Sequence, residues 1–208
     1  MIKFIQEFPL SYFWNIDYLI PKETKTLLDL GTGKGELASY IKRRRKIVID
    51  GIEIFKPYVD SLKKSGIYRS VIVGDITKIR LVNKEYDIVL CSQVLEHLQK
   101  EKAIRVLKCW EKYAGKRIIV GVPNGRVNQG EYDGNKYQEH NSTWSRRDLE
   151  QLGYRVYGQG AGWIYCGDSS NGNIVKRIPL FMIGYLLSPY YRYFPEKAAH
   201  LIAVKDKK

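Results

Sequence analysis

Apolar residues along this chain occur in short continuous runs, separated by stretches with helical spacing. The runs typical of buried strands lie at 26–31, 46–54, 70–76, 86–92, 116–123, 154–160 and 200–205. Between them, apolar positions three or four residues apart predict helices over 35–45, 56–66, 101–115 and 145–153. Strands that alternate with helices of this length are joined by right-handed crossovers. The pattern therefore predicts a doubly wound, Rossmann-like α/β sheet with helices on both faces.

The end of the chain departs from this alternation. No amphipathic pattern of the usual kind separates the last two strand-like runs, so they are expected to give a mostly parallel sheet an antiparallel end. A length of 208 residues suits one domain over 1–208. Residues 1–24 are interpreted as a helical cover, and 161–198 as an insertion or lid between the last two strands.

The insertion contains an uncharged apolar stretch at 178–191. Its 14 residues are fewer than the roughly 20 that a bilayer-spanning helix needs. We interpret it as a packed helix, a lid or a dimer contact. An apolar substrate tunnel, or a surface that touches membrane lipid, is the alternative.

The charge balance is strongly basic. Thirty-five Lys and Arg against 22 Asp and Glu leave a net charge of +13, which would attract RNA, anionic lipid or an anionic substrate. The densest run, "KRRRK" at 42–46, is expected to be a solvated helix end, with contact to RNA or an anionic membrane as the alternative. Three cysteines without metal-binding spacing, and a start without a signal-peptide pattern, predict a cytoplasmic protein, with peripheral membrane association as a variant.

The stretch "LLDLGTGKGELASYI" at 27–41 carries the clearest chemistry. A glycine turn between a strand and a helix brings backbone N–H groups to a ligand, and side chains at Gly33 or Gly35 would fill the ligand's space. A dinucleotide fingerprint has a further glycine where this chain has Glu36. Asp29 places a carboxylate beside the loop, which would repel a diphosphate and attract an ammonium group. The loop therefore predicts S-adenosylmethionine as the ligand.

Two more acids follow strands. Glu53 ends the second strand, where a carboxylate can accept both hydroxyls of a ribose. Asp75 ends the third, where it can accept from an adenine amino group while Ile76 packs on the ring. A surface glutamate and a turn-forming aspartate are the respective structural alternatives.

These residues resemble the class I S-adenosylmethionine-dependent methyltransferases, of the type 11 and ubiquinone/menaquinone-biosynthesis-like branch. "LLDLGTGKGELA", Glu53, "GDI" at 74–76 and "EYDIVLCSQVLEHLQ" at 85–99 carry the resemblance, over roughly 25–160. It implies a seven-stranded sheet with an antiparallel last strand, and a main-chain contact to the methionine portion near Cys91 and Ser92. The complete set expected to bind the cofactor is Asp29, Gly31, Thr32, Gly33, Gly35, Glu53, Ile54, Asp75, Ile76, Cys91 and Ser92.

Methyl transfer depends mainly on positioning, so a general base is needed only for acceptors such as hydroxyls. His97 and His140 both follow strand ends and are the candidates, with a structural imidazole as the alternative for each. Tyr132, Tyr137 and Trp144, with His140, are expected to line the acceptor site. Some related RNA-end and quinone methyltransferases bind a metal through Glu-x-x-Glu-His and a distant histidine. Gln93 replaces the first acid here, leaving Glu96, His97 and His140, and we predict no metal.

Three functions remain open. The first is methyl transfer to a small, lipid-linked or glycan-linked acceptor, at oxygen, otherwise nitrogen or carbon. The second is an RNA methyltransferase, favoured by the charge, although "SQVL" after the fourth strand is unlike the tetrapeptide of many base-methylating enzymes. The third is a cofactor-binding partner subunit without catalysis.

Overall fold

The computed structural model describes residues 8–81, 85–131, 133–161 and 182–207. Its strands are β1 (Thr26–Leu30), β2 (Val48–Glu53), β3 (Ser70–Val73), β4 (Tyr86–Ser92), β5 (Ala114–Pro123), β6 (Arg155–Ala161) and β7 (Ala198–Asp206). Its α-helices with both ends described are α1 (Tyr12–Leu19), α2 (Glu36–Arg44), α3 (Lys56–Lys63), α4 (Lys100–Trp110), α5 (Arg146–Gln151) and α6 (Ser188–Tyr193). Every predicted strand is present, and the boundaries differ by a few residues.

The seven strands form one sheet in the order β3-β2-β1-β4-β5-β7-β6. Strands β1 to β5 pair in parallel, whereas β7 pairs antiparallel with both β5 and β6. The predicted fold class is therefore confirmed. The antiparallel strand lies inside the sheet, because β7 inserts between β5 and β6.

Apolar side chains cover both faces of this sheet. One face packs around Leu28, Val89 and Trp110, and the other around Ile49, Ile88 and Ile119, all nearly inaccessible to solvent. Neighbouring residues in β4 thus point to opposite cores, which explains its continuous apolar run. The order of the strands leaves the carboxyl ends of β1, β2, β3 and β4 side by side at one edge, where ligands bind in open α/β sheets.

The basic run at 42–46 lies at the carboxyl end of α2, where its side chains are exposed except for that of Arg45, which is partly buried. Lys42 Nζ donates to Ile47 O at 2.6 Å. The Arg45 guanidinium contacts the carboxylate and the main-chain oxygen of Asp17, and Arg44 lies 3.7 Å from the centre of the Tyr40 ring. These contacts fit the helix-end interpretation.

The described part of the predicted apolar insertion is helical and solvent-facing. Residues 182–186 and α6 are helical, and the side chains of Met182, Leu186 and Tyr193 are more than half exposed. Residues 162–181, which hold the rest of the insertion and Cys166, lie outside the described residues. No helix among the described residues has the length and apolar character to cross a bilayer.

Ile119→Ala tests the placement of the core. Ile119 is fully buried in β5 between β4 and β7, so the truncation should lower the free energy of unfolding by about 2–5 kcal/mol. Ile72→Ala, on the edge strand β3 with a 40% exposed side chain, is the matched control and should cost less than about 1 kcal/mol. Urea denaturation measures both, and equal losses would contradict the assigned core.

Candidate functional site

A cavity of about 540 Å³ opens at the carboxyl ends of β1 to β4. The glycine loop and the acids after the first three strands form one wall, and residues after β4 and β5 form another. Nine of the eleven residues predicted to bind the cofactor line it: Asp29, Gly31, Thr32, Gly33, Glu53, Ile54, Asp75, Ile76 and Ser92. The fold therefore brings residues that are distant in sequence into one space.

The glycine loop serves two different needs. Gly33 has φ +52°, and a Cβ there would meet no atom within 4 Å, so it would project into open space at the cavity. Gly35 also has a positive φ, but its Cβ would lie 2.6 Å from Leu62 Cδ2 of α3. Gly35 does not line the cavity. The sequence had suggested that a side chain at Gly35 would fill the space of a ligand. The structure instead shows that it would collide with α3.

Glu53 holds the glycine loop in place. Its Oε2 accepts the Gly33 N–H at 2.8 Å, and its Oε1 accepts the Phe55 N–H at 2.9 Å. The side chain is nearly buried yet contributes to the cavity wall. Each carboxylate oxygen can accept more than one hydrogen bond. Glu53 can therefore bind ligand hydroxyls while it joins the loop after β1 to the end of β2.

Asp29 is buried behind the loop and still reaches the cavity. Burial is the main reason that the pKa of its carboxyl group is raised to about 7. The hydrogen bond from the Tyr68 hydroxyl at 2.7 Å lowers this pKa, and the negative charge of Glu53 raises it by a smaller amount than burial does. A cationic ligand would favour the charged form. Asp29 therefore supplies a carboxylate whose ionisation is coupled to what occupies the cavity.

Asp75 forms the turn that was its structural alternative, and it also lies at the cavity. Its Oδ1 accepts the Thr77 N–H at 2.9 Å, which forms a turn after β3. Asp75 and Ile76 also line the cavity, and the main-chain oxygen of Ile76 accepts the Trp110 indole N–H at 2.9 Å. The turn fixes the position of both residues next to the place expected for an adenine.

The far wall is polar and comes from the loop after β5. Asn135, Tyr137, Gln138 and Asn141 line the cavity there beside His97, whose main-chain oxygen accepts from Asn141 Nδ2 at 3.1 Å. The loop is fastened from both sides. The Asn141 and Ser142 N–H groups donate to Glu96 O at 2.7 and 3.0 Å, and Asp133 accepts from Tyr58 and Lys34, both at 2.9 Å.

The predicted acceptor and catalytic residues lie in different places. Tyr137 and His97 line the cavity. His140 does not, but its ring centre is 5.0 Å from that of His97. Trp144 is 1% exposed in the core and lies away from the cavity, with its indole N–H donating to Ser142 Oγ at 3.2 Å. Tyr132 lies outside the described residues.

Cys91 was expected to act through its main chain. Its side chain is fully buried in the core, and burial raises the pKa of the thiol. Ser92, the next residue, faces the other way and lines the cavity. The alternation of side chains along β4 accounts for this difference.

Sequence reasoning missed the contribution of α1. Tyr12 and Phe13 line the cavity, and the Tyr12 hydroxyl is 2.8 Å from Ser92 Oγ. Gln93 Nε2 donates to the same hydroxyl at 3.1 Å, from a residue with φ +55°. A Cβ at Gly121 would lie 1.9 Å from that hydroxyl. Aromatic residues in a predicted cover, and a glycine inside a buried strand, were the available signals.

Residues 28–116 match the family model described as "Methyltransferase domain". This segment belongs to that family. The match confirms the family predicted from the motifs, and it covers β1 to the start of β5. The methyltransferase domain thus contains the glycine loop, Glu53, Asp75 and His97, whereas the polar wall after β5 lies beyond the matched segment.

A curated relative is an uncharacterized methyltransferase of Schizosaccharomyces pombe, 28% identical over 107 residues. The matched region is 51% of this chain and 43% of the relative. The chain thus matches less than half the length of that protein.

Solved structures extend the likeness to the whole fold. A SAM-dependent methyltransferase from Archaeoglobus fulgidus is 20% identical, with 99% of both chains covered and a TM-score of 0.59. The plantazolicin methyltransferase BpumL, in complex with a monoazolic desmethylPZN analog and SAH, is 17% identical with a TM-score of 0.63, covering all of this chain and 84% of that one. The small RNA methyltransferase HEN1 is 16% identical with a TM-score of 0.61, over 94% of this chain and 24% of that one.

Asp29→Asn tests the buried carboxyl. The pKa of Asp29 is higher in the folded protein than in the unfolded chain. Asp29 therefore lowers the free energy of unfolding progressively as the pH rises from about 4 to about 7, and by a constant amount above that. Without added ligand, the variant should unfold with about 1–4 kcal/mol more free energy than the unsubstituted protein at pH 8, and with no gain near pH 4. Asp60→Asn, exposed on α3, is the control. Calorimetry at the two pH values decides, and a gain independent of pH would contradict the assignment.

Proposed function

We propose that the protein binds S-adenosylmethionine in this cavity and transfers its methyl group to a hydroxyl oxygen of a small, lipid-linked or glycan-linked acceptor. The observation that supports it best is the convergence of the glycine loop, Asp29, Glu53 and Asp75 on one cavity of a methyltransferase domain. Carboxylates there suit a ligand that carries an ammonium and a sulfonium and lacks phosphate.

When bound, S-adenosylmethionine supplies an electrophilic methyl group on a positively charged sulfur. Glu53 would hold the ribose hydroxyls, Asp75 and Ile76 the adenine, and Asp29 the ammonium group. Tyr12 and Phe13 line the cavity on the side of α1 and would shield a bound ligand from water there. Positioning by these groups accounts for most of the rate.

The acceptor hydroxyl would lie in the cavity next to His97 and the polar wall. Transfer of the methyl group to this oxygen would release the hydroxyl proton, which a base must accept. His97 Nδ1 is 3.1 Å from Glu139 O, a carbonyl that can only accept, so in the neutral ring the proton is on Nδ1 and Nε2 is the basic nitrogen. Burial lowers the pKa of His97, which keeps the ring neutral. Asn141 and Gln138 also line the cavity and would contact the acceptor's other polar groups.

Glu53→Gln tests cofactor binding. The neutral amide cannot accept at both ends as the carboxylate does, so the affinity for S-adenosylmethionine should fall about tenfold or more, corresponding to about 1.4 kcal/mol. Isothermal titration calorimetry measures the affinity. Glu101→Gln, exposed in the first turn of α4, is the control and should bind as the unsubstituted protein. Absence of heat with S-adenosylmethionine in the unsubstituted protein, or binding of NADH instead, would contradict the proposal.

Isotope-labelled methyl groups identify the acceptor class. Label from S-adenosylmethionine should enter a polar small-molecule or lipid fraction of a cell extract, and Glu53→Gln should reduce the transfer. Label in RNA would instead support the second candidate function, an RNA methyltransferase. The net charge of +13 and the exposed side chains of the basic run at 42–46 favour that candidate.

The exposed apolar side chains at 182–194 support the lipid-linked class of acceptor. Their surface reaches the amino-terminal segment, where the ring centres of Tyr185 and Phe8 are 6.4 Å apart. The same segment leads into Tyr12 and Phe13 of the cavity. An apolar surface on a basic protein suits the boundary of an anionic bilayer.

Leu186→Glu tests this surface. Leu186 is 71% exposed, and burying a leucine side chain in an apolar phase is worth roughly 1.5–3 kcal/mol. The substitution should therefore lower the binding constant for phosphatidylglycerol-containing vesicles by about tenfold or more, as measured by sedimentation. Ile72→Glu, at an exposed position on β3, should have little effect. If the unsubstituted protein does not sediment with these vesicles, the apolar surface at 182–194 does not bind membranes.

A further inference from the structure

A second, smaller cavity of about 240 Å³ adjoins the cavity described above. Its wall comes from the segment after β3, which contributes Arg80, and from α4, which contributes Lys102, Arg105 and Cys109. The three helical positions are three or four residues apart, so they share one face of α4. Ile76 lines both cavities, so the two spaces meet at the turn after β3.

The lining of this second cavity is basic. It includes the cations of Arg80, Lys102 and Arg105 and no carboxylate. The Arg80 guanidinium donates to Ile79 O at 2.7 Å through Nη1, which ties it to its own segment. Within the described residues, the side chains of Lys102 and Arg105 form no ion pair. Like charges at this spacing repel one another, and an anion between them would remove the repulsion.

The concave shape distinguishes this group from an ordinary solvated basic surface. The lining includes Ile76 and Val106, whose side chains are nearly inaccessible to solvent. Charges of one sign around a cleft with low-dielectric walls concentrate the electrostatic potential inside it. The basic run at 42–46, by contrast, lies at a helix end and lines neither cavity.

The turn after β3 forms a wall that both cavities share. Asp75 lines the first cavity, Thr77 the second and Ile76 both. The Trp110 indole N–H donates to Ile76 O at 2.9 Å and so fastens this wall to α4. Burial would raise the pKa of Asp75, but hydrogen bonds from Thr77 and the positive charge of Lys102 hold it below its ordinary value. An anion in the second cavity would therefore act on residues expected to hold the adenine.

We propose that the cavity at Arg80, Lys102 and Arg105 binds the phosphate group of a small phosphomonoester, and that the bound anion raises the affinity for S-adenosylmethionine. Guanidinium and ammonium groups are common donors to phosphate oxygens. The volume of about 240 Å³ is below the roughly 300–1,000 Å³ of most small-molecule sites, so it suits a phosphoryl group and its nearest atoms. Cations around one cavity favour a single doubly charged group over the extended phosphodiester chain of RNA.

The coupling to the cofactor has a definite sign. S-adenosylmethionine carries a sulfonium, an ammonium and a carboxylate, so its net charge is positive and an anion next to its adenine end attracts it. S-adenosylhomocysteine lacks the sulfonium and has no net charge, so its affinity should change less. The coupling rests on the proposed function, whereas phosphate binding is measurable without any cofactor.

The first test is a calorimetric titration of the full chain with glycerol 2-phosphate at constant ionic strength. One molecule should bind per chain, and Lys102→Gln and Arg105→Gln should each weaken its binding by about fivefold or more. Lys108→Gln is the matched control, because it removes the same charge from an exposed position of α4 outside the cavity. Absence of binding, or equal weakening by Lys108→Gln, would overturn the proposed site.

Cys109 provides a second readout at the site itself, because it lines the cavity. Glycerol 2-phosphate should slow its alkylation by iodoacetamide, a neutral reagent, and peptide mass spectrometry separates it from the other cysteines. The protection should be lost in Arg105→Gln. An unchanged rate at saturating glycerol 2-phosphate would place the bound anion elsewhere and so contradict the site.

The coupling is tested by titrating S-adenosylmethionine with and without saturating glycerol 2-phosphate. Its affinity should rise about twofold, with a smaller change for S-adenosylhomocysteine and none in Arg105→Gln. An unchanged affinity would refute the coupling, whereas failure of S-adenosylmethionine to bind at all would count against the proposed function and not against the phosphate site.

A short RNA with hydroxyl ends distinguishes the two sources of phosphate. It should bind more weakly than glycerol 2-phosphate at the same ionic strength, and Arg105→Gln should leave its binding unchanged. Tighter binding of the RNA that Arg105→Gln weakens would assign the cavity to an RNA backbone and overturn the proposal.

Discussion

The cavity depends on one interaction between neighbouring strand ends: the Glu53 carboxylate holds the Gly33 and Phe55 N–H groups. The glycine loop has few side-chain contacts of its own, since Gly33 has open space where a Cβ would be. A loop of this kind keeps one conformation only if another element orders it. Glu53 does so from β2, and it remains at the cavity wall. The group suited to bind the cofactor therefore also builds the cavity.

The parallel part of the fold could be predicted from the sequence because its signals are local. Tyr86–Ser92 forms β4 within the predicted bounds, since a continuous apolar run has little alternative once both faces of a sheet are covered. The glycine loop and the acids after β1, β2 and β3 follow from their positions at strand ends. Connection order alone brings those positions together.

The acceptor side could not be predicted as well, because long loops do not follow a period. Trp144 and Tyr137 are both aromatic residues of one polar stretch, yet Trp144 is in the core and Tyr137 lines the cavity. Their difference is set by long-range contacts, such as the Gly125 N–H to Trp144 O bond of 2.8 Å, which carry no mark in the local sequence. The burial of Glu96 likewise could not be predicted from the local sequence, because it results from the loop after β5 covering the turn after β4. Tyr12 shows the same limitation at the other end of the chain.

The docking of α1 has a consequence for ligand exchange. Tyr12 and Phe13 are part of the cavity wall, so the wall is complete only while the amino-terminal helix is seated against Ser92, Gln93 and Gly121. Ligand binding in the cavity and docking of α1 on the sheet are thermodynamically coupled. A ligand that contacts both α1 and the sheet stabilises the docked helix, and a change that weakens docking lowers the affinity for that ligand by the same factor. The free energy with which α1 docks on the sheet therefore depends on the ligand that occupies the cavity.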